Sequence, residues 1–143
     1  MTDCILDASV AAKWLLPPSS ETLVPEALQL LTDHGDGRLR IAVPDLFWLE
    51  IGNILWKSVR RGSLTLSAAE KALRTIERCD FPTFPSRPLL PQAFAIATAH
   101  DRTVYDATYV ALALASGFPL ITADERLANA LAARAPVRWL GSL

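Results

Sequence analysis

Short apolar runs alternate with stretches of helical period along this chain, and that alternation restricts the fold more than any other feature. Cys4–Leu6, Arg40–Val43, Asp80–Phe84, Phe118–Thr122 and Val137–Leu140 read as short strands. Between them, Ser9–Leu16, Ser20–Thr32, Pro44–Arg60, a segment from about Ser67 to Arg78, Pro91–Ala99, Tyr105–Ser116 and Asp124–Arg134 read as helices. Pro25 is confined to the first turns of its helix because it lacks an N–H. Ser67-Ala68-Ala69-Glu70 matches a capping box, and Gly117 suits the position just past a helix end. His34-Gly35-Asp36-Gly37 reads as a turn, and Pro82, Pro85, Pro88 and Pro91 space out a stiff loop. Gly52 sits in the middle of a helix at a small cost, for which close packing of another element is the expected reason. Strands joined through helices form a parallel sheet covered on both faces. The 143 residues fit one domain, 1–143, with no repeat, linker or low-complexity tract.

Four acidic residues lie inside or against these apolar elements. Asp7 ends Cys4-Ile5-Leu6, and Glu50 lies within Leu46-Phe47-Trp48-Leu49-Glu50-Ile51. Asp106 opens an Ala/Leu-rich helix, and Asp124 follows Leu120-Ile121-Thr122-Ala123. A carboxylate on buried surface is costly unless it is paired or holds a metal. In open α/β sheets, sites lie beyond the carboxyl ends of strands, where the strand order reverses. Asp7 and Asp124 each fall just past a strand. If the first and fourth strands are neighbours, both face one crevice, and Glu50 and Asp106 complete the ring from flanking helices.

Bulk properties exclude several classes. Net charge is -1 and the pI about 6.1, unlike a generic basic nucleic-acid binder. Hydrophobic residues make up 51% of the chain, which points to a dense core or to apolar surface that meets a partner. The start lacks the pattern of a signal peptide, and no apolar run approaches a membrane span. Cys4 and Cys79 make no disulfide framework, so a reducing cytosol is expected. No zinc pattern, P-loop, G-x-G-x-x-G or G-x-S-x-G elbow is present.

Clustered carboxylates suit Mg2+ or Mn2+, hard ions that favour carboxylate and water oxygens. A pair of such ions can activate water and stabilise the leaving oxygen of a phosphodiester. Without a cation the carboxylates repel one another and some are held protonated. Two other readings stay open on the residues alone. One is a phosphatase or phosphoacceptor with Asp7 as nucleophile. It needs a nearby lysine, and none of Lys13, Lys57 or Lys71 follows a late apolar strand. The other is a non-catalytic acidic pocket for a basic segment.

Four motifs, in order, resemble those of PIN-domain ribonucleases, and most closely the VapC-like toxins of toxin–antitoxin pairs. They are Ile5-Leu6-Asp7-Ala8-Ser9, Leu49-Glu50-Ile51-Gly52-Asn53-Ile54-Leu55, Tyr105-Asp106-Ala107-Thr108-Tyr109 and Ile121-Thr122-Ala123-Asp124-Glu125-Arg126-Leu127. The resemblance covers nearly the whole chain. It implies a PIN-like three-layer α/β fold with about five short parallel strands, and RNA cleavage that depends on one or two Mg2+ or Mn2+ ions. It also implies a homodimer and inhibition by a small antitoxin protein. Asp7, Glu50, Asp106 and Asp124 match the family's acidic positions and are the expected metal-holding, catalytic residues.

Simpler roles compete at each position. Asp7 and Asp124 suit helix N-caps, and Asp106 suits a helix N-terminus. Glu50 is alternatively a surface residue. Ser9, Asn53 and Thr122 are candidates to orient the acids. Lys57, Arg60 and Arg61 either complement a helix C-terminus or position RNA phosphates; Arg38, Arg40 and Arg126 are weaker candidates. Asp3, Asp33, Asp36, Asp45, Asp101 and Glu125 read as solvated or as helix starts. Trp14, Trp48, Trp56 and Trp139 read as core or interface, and the patch of Trp14, Leu15 and Leu16 is a candidate seat for an antitoxin segment.

Overall fold

The computed structural model describes residues 2–143. Five parallel strands form one sheet: β1 (Thr2–Leu6), β2 (Leu39–Pro44), β3 (Thr83–Phe84), β4 (Leu120–Thr122) and β5 (Val137–Trp139), in the order β3-β2-β1-β4-β5. Seven helices flank it: α1 (Ala8–Leu15), α2 (Val24–Gly35), α3 (Leu46–Arg60), α4 (Leu66–Glu77), α5 (Leu90–His100), α6 (Val104–Ser116) and α7 (Glu125–Leu131). The chain moves outward from β1 through β2 to β3, then returns to the far side of β1 for β4 and β5. Right-handed crossovers therefore send α1 to α4 to one face and α5 to α7 to the other. The packing agrees, with α1 against α2 and α3, α3 against α4, and α5 against α6. The result is the expected three-layer α/β fold.

The first and fourth strands are neighbours, with Leu6 beside Ile121. This is the switch in strand order that the site requires. Cys4, Ile5 and Leu6 of β1 are wholly buried, because the central strand is covered on both faces. Phe47, Ile51 and Leu55 pack down from α3, while Tyr109, Val110, Leu112 and Ala113 pack from α6. A second cluster of Ala93, Ala97, Ala107 and Ala111 lets α5 and α6 approach closely. Among the described residues, no helix is long and apolar enough to cross a membrane.

Several boundaries differ from the sequence expectation. Helix α2 starts at Val24 rather than Ser20, since Pro25 cannot donate to an earlier carbonyl and Leu23 is left-handed at φ 55°. It also runs through His34 and Gly35, which were expected in a turn. Only Thr83 and Phe84 of the third strand pair, because Asp80 is left-handed at φ 48° and Pro82 has no N–H for a ladder. The cap of α4 is Thr65, whose Oγ1 accepts the Ala68 N–H at 3.1 Å, so Ser67 lies inside the helix and the capping box does not form. Helix α7 stops at Leu131, ahead of Arg134, with Pro136 close downstream. Gly52 is not explained by close packing: a Cβ there would meet nothing within 4 Å.

Candidate active site

Asp7 follows β1 directly and its N–H donates to the Ile121 carbonyl at 3.0 Å, which pins it to the end of β4. Its Oδ1 accepts the Ser9 N–H at 3.3 Å and so caps α1. Its Oδ2 accepts the Thr122 hydroxyl at 2.8 Å. Thr122 Oγ1 in turn accepts the Asp124 N–H at 3.0 Å, and Ser9 Oγ accepts the Ala123 N–H at 3.1 Å. Ser9 and Thr122 thus lace the carboxyl ends of the two central strands together. Asp7 is 7% exposed and forms the floor of the site.

The other three acids approach from separate elements. Asp124 caps α7 through Oδ1, which accepts the Leu127 N–H at 3.1 Å, and its Oδ2 is left free of the helix. Asp106 lies in the first turn of α6, whose cap Thr103 accepts the Asp106 N–H at 3.1 Å. Glu50 projects from α3 on the opposite face of the sheet. Its Oε1 and the Tyr109 hydroxyl are both shut off from solvent, and neither has a partner in hydrogen-bond geometry. The hydroxyl nevertheless lies near enough to Glu50 to favour its charged form. Asp7 and Asp124 each cap a helix with one oxygen, and the other oxygen accepts from a side chain, Thr122 for Asp7 and Arg102 for Asp124.

Arg102 joins two of the acids. Its guanidinium donates to Asp124 Oδ2 at 2.8 Å and to Asp106 Oδ2 at 3.3 Å, with its side chain 20% exposed. Its Nε is buried without a partner among the described residues.

The electrostatics are those of crowded acids. Burial pushes the Asp7 carboxyl up, against the opposing hydrogen bonds from Thr122 and Ser9, and Asp106 adds repulsion. Burial, with smaller contributions from Asp7 and Asp106, pushes Glu50 up to about 7. Asp106 is raised by burial and by Asp124, with Arg102 opposing. Burial raises the Tyr109 hydroxyl above its ordinary range, and Asp7 and Glu50 add to the effect. Among the described residues, no three such side chains lie close enough to enclose an ion as they stand. The donor set still fits a hard dication. Four carboxyl groups share one guanidinium, which reaches only Asp106 and Asp124. Three of the four are pushed toward protonation, and among the described residues one buried Glu50 oxygen has no partner.

The remaining expected residues divide. Asn53 and Lys57 follow Glu50 along α3 and line, with Leu46, Leu49, Ile54 and Tyr105, a groove of about 510 Å3. Arg60 lies over the Trp56 ring at 5.4 Å. Arg61 is exposed at the helix end. Trp14 donates from Nε1 to the Ala27 carbonyl at 2.7 Å, which ties α1 to α2. Sequence reasoning did not single out Arg102, Tyr109 or Tyr105. Arg102 carried one signal: a cation just before a helix N-terminus opposes the helix dipole and calls for an acidic partner.

Comparisons with known proteins agree on the fold and the family. Residues 4–131 match the PIN domain. Ribonuclease VapC3 of Pyrobaculum aerophilum is 35% identical over 133 residues, spanning 87% of this chain and 92% of that protein. The crystal structure of PAE2754 from the same organism superposes with a TM-score of 0.71 at 24% identity, covering 99% of this chain and 85% of that one. A chain of a toxin–antitoxin complex from Klebsiella pneumoniae gives a TM-score of 0.62 at 16% identity, covering 94% and 95%. A strand order that reverses at β1 and β4, acids gathered at that reversal, and a match over most of the length place this chain in the PIN-domain family.

Proposed function

We propose that this chain is a divalent-cation-dependent endoribonuclease that serves as the toxin of a toxin–antitoxin pair. The observation that carries this reading is the meeting of Asp7, Glu50, Asp106 and Asp124 from four elements at the switch in strand order, with Asp7 buried at the floor. Family membership and the VapC relative favour a nuclease over the phosphoacceptor and acidic-pocket readings.

Asp7, Glu50, Asp106 and Asp124 would hold Mg2+ or Mn2+, one ion or two. The ion, when bound, polarises a phosphoryl oxygen and supports water as nucleophile. Ser9 and Thr122 hold Asp7 and the Asp124 backbone in place through the hydrogen bonds described above. Lys57 and Asn53, on the same groove as Glu50, bind the RNA backbone beside the scissile phosphate, and the exposed Tyr105 ring offers a surface for a base. Arg60, engaged with Trp56, and Arg61 contribute longer-range attraction.

Two protein partners complete the reading. Exposed Leu90 and Phe94, one turn apart on α5, favour a homodimer. The groove beside Trp14 and Leu15, floored by Ala68, Ala72 and Thr75 of α4, suits an antitoxin segment. Two unbridged cysteines, Cys4 and Cys79, fit a reducing cytosol.

The test is RNA cleavage by the free protein with Mg2+ or Mn2+, beside EDTA and Asp7→Asn controls. Products that require the cation and vanish in both controls are expected. Cleavage that survives Asp7→Asn would overturn the site assignment.

A further inference from the structure

The four acids are not equivalent, and Arg102 makes the difference. Its Nη2 takes Asp124 Oδ2 at 2.8 Å and Asp106 Oδ2 at 3.3 Å, while among the described residues Asp7 and Glu50 have no cationic side chain in hydrogen-bond or ion-pair contact. The placement is built into the fold. Arg102 stands one residue ahead of the α6 cap Thr103, four residues before Asp106, and its N–H donates to the Ala97 carbonyl at the end of α5. Its side chain is largely buried, and a single terminal nitrogen, Nη2, bridges the two aspartates, while among the described residues Nε has no acceptor. Asp124 has only Oδ2 to offer, since Oδ1 caps α7. A guanidinium is always charged at neutral pH, and this one is tethered by its own chain between α5 and α6, which makes it a fixed charge rather than an exchangeable one.

We infer that Arg102 takes the place of a second metal ion, so that this site holds a single divalent cation on its Asp7–Glu50–Asp106 side while Asp124 serves as the anchor of Arg102. This rests on the metal-dependent reading above and narrows it. Arg102 is then a fixed positive charge beside the reacting phosphate, where a two-ion site would carry its second dication. Asp124 acts through Arg102 rather than as a ligand.

The experiment counts ions. Mn2+ is titrated calorimetrically into the metal-free full-length protein, its Arg102→Gln variant and its Asp124→Asn variant, with circular dichroism to check folding. The parent should bind one Mn2+ and Arg102→Gln two, the added ion being the weaker. Asp124→Asn should still bind one, with affinity within about threefold of the parent, because its carboxylate is not a ligand. This arm stands even if Arg102→Gln fails to fold. Two ions on the parent, one ion on a folded Arg102→Gln protein, or loss of binding in Asp124→Asn would each overturn the inference while leaving metal dependence intact. No Mn2+ on any of the three would overturn the metal reading itself, and this inference with it.

Discussion

Glu50 links the chemistry of the site to the stability of the fold. Burial lifts its carboxyl from 4.5 to about 7, and Asp7 and Asp106 are raised for the same first cause. A carboxyl raised in the folded state binds its proton more tightly there than in the unfolded chain. Its contribution to stability is therefore full below the unfolded value and is lost as pH rises through the folded one. The metal-free protein should accordingly lose thermal stability between about pH 4.5 and 7 and level off above. Melting curves in EDTA across this range check it; Glu50→Gln should flatten much of the slope, and an unchanged slope would remove Glu50 as its source. Asp7→Asn makes the complementary case. Asparagine caps as well as aspartate, so the bond to the Ser9 N–H survives while a buried charge is removed. At neutral pH without metal, that variant should melt at or above the parent temperature, yet cleave no RNA. A clearly lower melting temperature would mean that the Asp7 charge itself supports the fold.

Helix ends show what the sequence revealed and what it hid. Asp7 and Asp124 were legible because an apolar run followed by an acid and a helical period is a local pattern, and the strand-to-helix turn is local too. Whether they meet depended on β4 lying beside β1, a pairing across more than a hundred residues that no local pattern encodes; it held only as a condition until the register of Leu6 with Ile121 supplied it. Arg102 was lost for the same reason, since its shorter contact reaches Asp124, 22 positions on. The short third strand and the late start of α2 failed differently, through the left-handed residues Asp80 and Leu23, neither of them a glycine. The caps allow a matched test. Thr103→Ala and Thr65→Ala each remove one side-chain cap and should each cost about 1 kcal/mol in denaturant unfolding. Only Thr103 holds the Asp106 N–H, so only its loss should lower cleavage beyond the fraction unfolded. Equal activities in the two variants would separate the α6 cap from the site. Gly52→Ala tests the helix interior. With open space at the missing Cβ, it should raise stability by about 0.5–1 kcal/mol, and a loss would mean that the α3–α4 groove closes on that position.

At the scale of the molecule, the site joins the two halves of a doubly wound sheet. Asp7 and Glu50 belong to the half wound outward through β2 and β3, and Asp106 and Asp124 to the returning half. A cation held between them, as proposed above, would oppose separation of the halves, and the unfolded chain would have no such site. Binding to the folded state alone adds RT ln(1 + [L]/Kd), or about 2.7 kcal/mol at a hundredfold excess over Kd. For a chain of this length, that raises the melting temperature by roughly 5–10 °C. The gain should grow with pH through the range where Glu50 loses its proton, because the ion competes with that proton. Scanning calorimetry at one fixed protein concentration, with Mn2+ or with EDTA, gives the shift; fixing the concentration removes any contribution from dimer formation. Asp7→Asn, which leaves the cap but takes a charge from the floor of the site, should lose most of the Mn2+ shift. A full shift in that variant would locate the stabilising ion elsewhere on the protein and would break the proposed link between this site and the cohesion of the fold.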